Sequence, residues 1–91
     1  MQKTRFDICF STPIRTPLAE LHKVASRYLD CYGLFVGEGA WKGITEHAYM
    51  LTVVLSDTES WKAYDLAKEY KYIYEQEAVL VTCSPVNAVL V

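Results

Sequence analysis

Apolar and polar residues alternate at the start of the chain, where Phe6, Ile8 and Phe10 are separated by Asp7 and Cys9. A period of two predicts a strand over residues 4–11, ended by Ser11-Thr12-Pro13. The period then changes. Leu18, Leu21, Val24, Ala25, Tyr28 and Leu29 share one helical face. Thr16-Pro17 suits a helix start, because Pro at the first helical position loses no needed donor. Tyr32-Gly33 predicts the end of that helix, with Gly33 as a left-handed cap. Residues 34–41 and 47–56 read as antiparallel strands around a glycine-rich turn. Ser56-Asp57-Thr58-Glu59 has the spacing of a capping box. It opens a helix that runs to about Tyr74, with Ala63, Leu66, Ala67, Tyr70, Ile73 and Tyr74 on one face. Ala78 to Cys83 predicts a buried strand, and Pro85 separates it from a last apolar run, Val86 to Val91.

The order is βαββαβ plus a terminal strand, which predicts an α+β, ferredoxin-like split-βαβ arrangement. No repeat, low-complexity segment or linker interrupts it, so residues 1–91 are expected to form a single domain. On the third strand, Tyr49, Leu51, Val53 and Leu55 fall on one side and Met50, Thr52 and Val54 on the other, and both sides are largely apolar. Two helices cover one face of a four-stranded sheet and leave the other bare. Burying both faces therefore calls for a closed homo-oligomer whose sheets face one another. The alternative is a monomer whose last strand extends the sheet edge.

Composition narrows the function classes. A hydrophobic content of 52% belongs to a folded chain. Nine basic against eleven acidic residues give a net charge of −2 with no basic run, which argues against a nucleic-acid footprint. No stretch approaches the ~20 apolar residues of a membrane span, and the N-terminus lacks a signal-peptide core, so no membrane association and a cytoplasmic location are expected. Cys9, Cys31 and Cys83 are too scattered for a disulfide framework or a metal site and read as small buried hydrophobes.

The chemistry concentrates between Gly37 and His47. Three of the four glycines, Gly37, Gly39 and Gly43, stand there with Glu38, Lys42, Glu46 and His47 around Trp41. Glycine permits close approach of backbone to a ligand, although a long hairpin also wants glycines and Trp41 also suits a core. Elsewhere the chain is poor in catalytic apparatus. The only histidines, His22 and His47, form no compelling Ser/His/Asp set. No cluster has metal-ligand spacing. Gly37-Glu38-Gly39 lacks the third glycine of a dinucleotide fingerprint.

The hairpin Trp41-Lys42-Gly43-x-x-Glu46, followed by an apolar strand in a βαββαβ chain, resembles the GlnB-like superfamily and the hairpin of CutA-type proteins. Such folds are trimers with ligand sites in the clefts between subunits. Glu75-Gln76-Glu77-Ala78-Val79-Leu80-Val81, followed by Ala88-Val89-Leu90-Val91, resembles the closing segment of the bacteriophage S-adenosylmethionine lyases, which share the GlnB-like trimeric fold. That motif covers about a fifth of the chain and also resembles a family of small bacterial α+β proteins. The resemblance implies a GlnB-like homotrimer that cleaves S-adenosylmethionine to methylthioadenosine and homoserine lactone. Such an enzyme needs no cofactor and no metal, and it acts in the host cytoplasm if phage-encoded. It places the family's glutamate at the start of the third strand on Glu46, as the catalytic residue that holds the substrate's cationic side. Glu75, Gln76 and Glu77 become substrate contacts or structural caps, and Tyr32 and Trp41 either stack on the purine and sulfonium or pack in the core. The competing implication is a non-catalytic GlnB/CutA-like sensor of a nucleotide or ion.

Overall fold

A computed structural model describes residues 2–91. Its elements are β1 (Gln2–Thr12), α1 (Leu18–Ala25), β2 (Gly33–Trp41), β3 (Ile44–Leu55), a 3-10 turn (Asp57–Glu59), α2 (Trp61–Ile73) and β4 (Leu80–Asn87). The four strands form one antiparallel sheet in the order β2-β3-β1-β4. The α+β fold expected from the periodicities is therefore present.

One buried cluster joins the helices to one face of the sheet. Phe6, Ile8 and Phe10 of β1 and Tyr49, Leu51, Val53 and Leu55 of β3 meet Leu21, Val24 and Ala25 of α1 and Ala63, Leu66, Ala67 and Tyr70 of α2. Two phenols add directional ties. The Tyr70 hydroxyl donates to the Leu21 carbonyl at 2.9 Å, locking α2 to α1. The Tyr49 hydroxyl accepts from the Thr16 backbone N–H at 2.6 Å, fixing the entry to α1 against β3. Phe10 lies 5.3 Å from Tyr49, 5.1 Å from Tyr70 and 5.4 Å from Tyr74 between ring centroids, so an aromatic knot clamps the end of α2 onto the sheet. No helix covers the opposite face among the described residues.

Several boundaries differ from expectation. Helix α1 stops at Ala25 because the chain tightens into a turn, with Ser26 Oγ bonded to the Lys23 carbonyl; Leu29 still reaches the core from that turn. Gly33 opens β2 rather than capping a helix, and its φ is not positive. The glycine-rich turn contracts to two residues, Lys42 (φ 50°) and Gly43 (φ 82°), with Gly37 and Gly39 inside the strand. That is the positive-φ pair a tight twisted hairpin requires. Ser56 precedes a 3-10 turn with no capping side chain, and Glu59 instead binds Lys62 Nζ at 2.6 Å.

The last strand is also not the buried segment from Ala78 to Cys83. It begins at Leu80, lies at the sheet edge and is mostly exposed. It runs on through Pro85, which pairs opposite Thr4 on an edge where a missing N–H is tolerated. Residues 88–91 form no further strand, so the expected extra C-terminal strand is merged into β4. Cys31 and Cys83 are exposed and Cys9 lies on the uncovered face, so none belongs to the core.

Candidate functional site

The register shows how the uncovered face is shaped. Strand partners share a face, so each row across the sheet can be read from the pairing. Phe35, Met50, Cys9 and Leu80 form one row, bulky at every position but Cys9. The next row toward the hairpin tip is Gly37, Ala48 and Ser11, all small. Then come Gly39 and Glu46, and finally Trp41 and Ile44 beside the turn. A side chain added at Gly37 would meet nothing within 4 Å, whereas one at Gly39 would stand 3.2 Å from the Ala48 Cβ. The sheet thus carries a shallow trough between the Phe35–Met50 ridge and Trp41.

The second wall comes from the segment between α2 and β4. Because β4 starts opposite Cys9, residues 75–79 run past the end of β1 and close the side of the trough. Helix α2 ends in a tight reversal. The Gln76 N–H reaches the Lys71 carbonyl at 2.9 Å and the Glu75 N–H reaches that of Tyr72 at 3.4 Å. This is the hydrogen-bond pattern of a Schellman stop, whose left-handed position usually holds glycine. Here Glu75 holds it, at φ 50°. Together these walls enclose a half-open groove of about 1120 Å³, lined among others by Phe35, Gly37, Trp41, Glu46, Ser11 and the whole of residues 75–81. Its size exceeds the ~300–1,000 Å³ of ordinary small-ligand sites.

Five of the six residues singled out from sequence line this groove: Trp41, Glu46, Glu75, Gln76 and Glu77. Trp41 is 61% exposed, so it is not a core residue. Lys42 Nζ lies 5.5 Å from its ring centroid. Glu46 is half-buried on the uncovered face. Gln76 is partly engaged locally, with Nε2 donating to the Tyr74 carbonyl at 3.1 Å. Tyr32 is the exception. It lies away from the groove, against α1, where its hydroxyl meets His22 Nδ1 at 2.6 Å. His47 and Glu38 pair with each other's strand position on the helix-covered side, opposite in direction to Glu46.

Sequence reading missed the trough floor (Ser11, Gly37, Ala48) and the ridge of Phe35, Met50, Cys9 and Leu80. Alternation along β2 and β3 carried the signal, but only a known register aligns the rows. Burial, with the Asp7 carboxylate nearby, holds the Cys9 thiol above its usual range and so in the neutral form. Tyr49, beneath the groove, shows the reverse balance. Burial pushes its phenol up, but hydrogen bonds from Thr12 and Thr16 outweigh that and lower it. Among the described residues, no group of three His, Cys, Asp or Glu side chains is placed to hold a metal ion. No helix among them is long and apolar enough to cross a membrane.

No family model matches the sequence, and no curated protein matches it either. Solved structures do match in fold. A phage S-adenosylmethionine lyase in its apo state aligns with a TM-score of 0.68 at 18% identity, over 92% of this chain and 79% of that one. CPII, a nitrogen regulatory PII-like protein from Thiomonas intermedia K12 bound to ADP, AMP and bicarbonate, aligns with a TM-score of 0.66 at 9% identity, over 99% and 96%. The divalent cation tolerance protein CutA from Archaeoglobus fulgidus aligns with a TM-score of 0.51 at 20% identity, over 99% and 88%. The chain therefore shares the fold of these three structures, an antiparallel sheet with two helices on one face.

Proposed function

We propose that this chain is an S-adenosylmethionine lyase, acting as a homotrimeric single-domain enzyme that yields methylthioadenosine and L-homoserine lactone. The observation that carries this reading is the groove. Within a fold shared with a phage S-adenosylmethionine lyase, it gathers Trp41 and Glu46 from the hairpin and Glu75 to Glu77 from the α2–β4 segment on an uncovered sheet face. In the reaction, the substrate's own carboxylate oxygen bonds to its γ-carbon as the bond from that carbon to the sulfonium breaks. The sulfur keeps the electron pair, and no water, base or metal takes part. The site has only to fold the methionine tail into attack geometry, which is where an intramolecular step gains most. Glu46 would hold the cationic side of the substrate, and Trp41 would cover the purine or the sulfonium. Opposite charges neutralise as the bond forms, so a cleft with little water favours the transition state over the zwitterion.

The uncovered face, with Phe35, Met50, Val54 and Leu80 exposed or half-exposed on it, supports assembly through facing sheets. A trimer would close the open side of the groove with a second copy. If the gene is phage-borne, turnover would drain the methyl donor of host restriction-modification systems.

A second reading, a nucleotide-binding sensor without catalysis, is favoured by the likeness to ADP-bound CPII over nearly the whole chain. Against it, the hairpin turn has only two residues, leaving no long signalling loop between β2 and β3. Incubation with S-adenosylmethionine followed by chromatography decides between them. Methylthioadenosine and homoserine lactone in equal amounts support the lyase. Intact substrate, with ADP bound instead, overturns it in favour of the sensor. Sedimentation equilibrium tests the assembly, and a monomer at micromolar concentration would refute the trimer.

A further inference from the structure

We propose, resting on the lyase reading, that the groove selects its adenosyl ligand by positive charge: it takes the sulfonium form, releases the neutral thioether and rejects nucleotide phosphates. Three carboxylates, Glu46, Glu75 and Glu77, line it, and no lysine, arginine or histidine does. The three ion pairs of the described residues are Arg5–Asp7, Arg27–Glu69 and Lys62–Glu59, so none of the groove carboxylates is paired among the described residues. Arg5 shares the uncovered face but is bound to Asp7 and sits two rows beyond the Cys9 ridge, roughly 13 Å along the strand. Lys68 and Lys71 line a separate, open depression on α2 that meets the groove only at Glu75 and Gln76.

Two further features agree. Glu75 occupies a left-handed position that glycine would fill with less strain, and it lines the groove as an exposed residue. The Trp41 ring already draws an ammonium, that of Lys42, to 5.5 Å, which marks it as a cation-accepting face. A phosphate brought into this groove would meet three like charges and no lining cation, the nearby Lys42 ammonium being drawn to the Trp41 ring. A sulfonium would meet opposite charge and an aromatic wall. After cleavage, the adenosyl product is a neutral thioether and loses that attraction, so product release follows from the same charges.

The test uses ligands that are not cleaved, so its outcome does not depend on turnover. Calorimetric titration of the full chain compares sinefungin, in which an amine replaces the sulfonium, with S-adenosylhomocysteine and ADP. Sinefungin is expected to bind about tenfold or more tightly than S-adenosylhomocysteine at ~0.05 M salt, with the gap shrinking at ~0.5 M as screening sets in. ADP is expected to bind more weakly than either. Glu46→Gln, Glu75→Gln and Glu77→Gln, made singly, should each narrow the ratio by weakening sinefungin more than S-adenosylhomocysteine. Equal affinity for sinefungin and S-adenosylhomocysteine, a ratio insensitive to salt, or ADP bound as tightly as sinefungin would each overturn the proposal. Charge preference with no S-adenosylmethionine turnover would uphold it and refute the lyase reading alone.

Discussion

Gly37→Val is the substitution that most directly separates the groove from the fold. Gly37 sits in the interior of β2 with ordinary extended backbone, and a Cβ there would meet nothing within 4 Å. In a strand interior, glycine costs roughly 0.5–1 kcal/mol relative to alanine, and a β-branched residue fits a pleated surface better still. The variant should therefore be as stable as the parent or gain about 0.5–1 kcal/mol, which for a chain of this size raises Tm by roughly 2–8 °C. The same three added carbons rise from the trough floor between Phe35 and Trp41. A ligand seated there must move or force a strained fit, a penalty of about 1–3 kcal/mol, or roughly 5- to 150-fold in affinity. Scanning calorimetry and titration with sinefungin on the same sample read both effects. Unchanged ligand affinity at unchanged or raised Tm would refute the trough as the site. Lost affinity with a lowered Tm would refute the claim that space is free at Gly37.

Three other substitutions probe the groove and the packing beneath it. Glu75→Gly relieves the left-handed position at the end of α2 and should raise stability by roughly 0.5–1 kcal/mol in a urea melt while weakening substrate binding; a fall in stability would refute the strain argument. Glu46→Gln should lower kcat/KM with Tm unchanged, whereas Glu38→Gln, on the opposite side of the hairpin, should be close to silent; equal losses would remove Glu46 from the substrate-holding role. Burial raises the Tyr70 phenol well above its ordinary value of 10, so the folded state keeps a proton the unfolded state loses. That stabilisation is complete below pH 10 and declines as pH climbs toward the folded value, so melts should show alkaline loss that Tyr70→Phe reduces; an unaltered alkaline limb would contradict it.

What was legible in the sequence was whatever depends on period and local chemistry. Alternation in Phe6, Ile8, Phe10 and again in Tyr49 to Leu55 reflects burial on one side of a strand, so the strands and their inward faces could be read directly. The same holds for Ala63, Leu66, Ala67 and Tyr70 on α2. Element ends were less legible, since they depend on tertiary hydrogen bonds. Glycines at 33, 37 and 39 suggested a cap and a loop, yet the ladder to β3 holds all three in a strand, with Gly39 packed close to Ala48. Pro85 suggested a break, but an edge strand has one unpaired side and can admit it. Tyr32 shows only an aromatic ring in the sequence. Its place was set by a partner ten residues away, His22, through a hydrogen bond that no spacing rule signals.

The site was half legible for a related reason. Trp41 and Glu46 flank one hairpin and Glu75 to Glu77 form one segment, so each group is visible as a local run, and the resemblance named both. Their convergence is a property of the β2-β3-β1-β4 order together with the aromatic knot of Phe10, Tyr49, Tyr70 and Tyr74, which holds the end of α2 beside β1. That knot links the core to the site. The contacts that fasten α2 also fix where Glu75 leaves it, so the position of the groove's second wall depends on packing beneath the sheet rather than on the groove residues themselves. The shape of the groove then follows from side-chain size row by row, and its sign from which charges the fold leaves unpaired. Both can be altered without touching the core, because the residues that set them lie on the uncovered sheet face or on the α2–β4 segment.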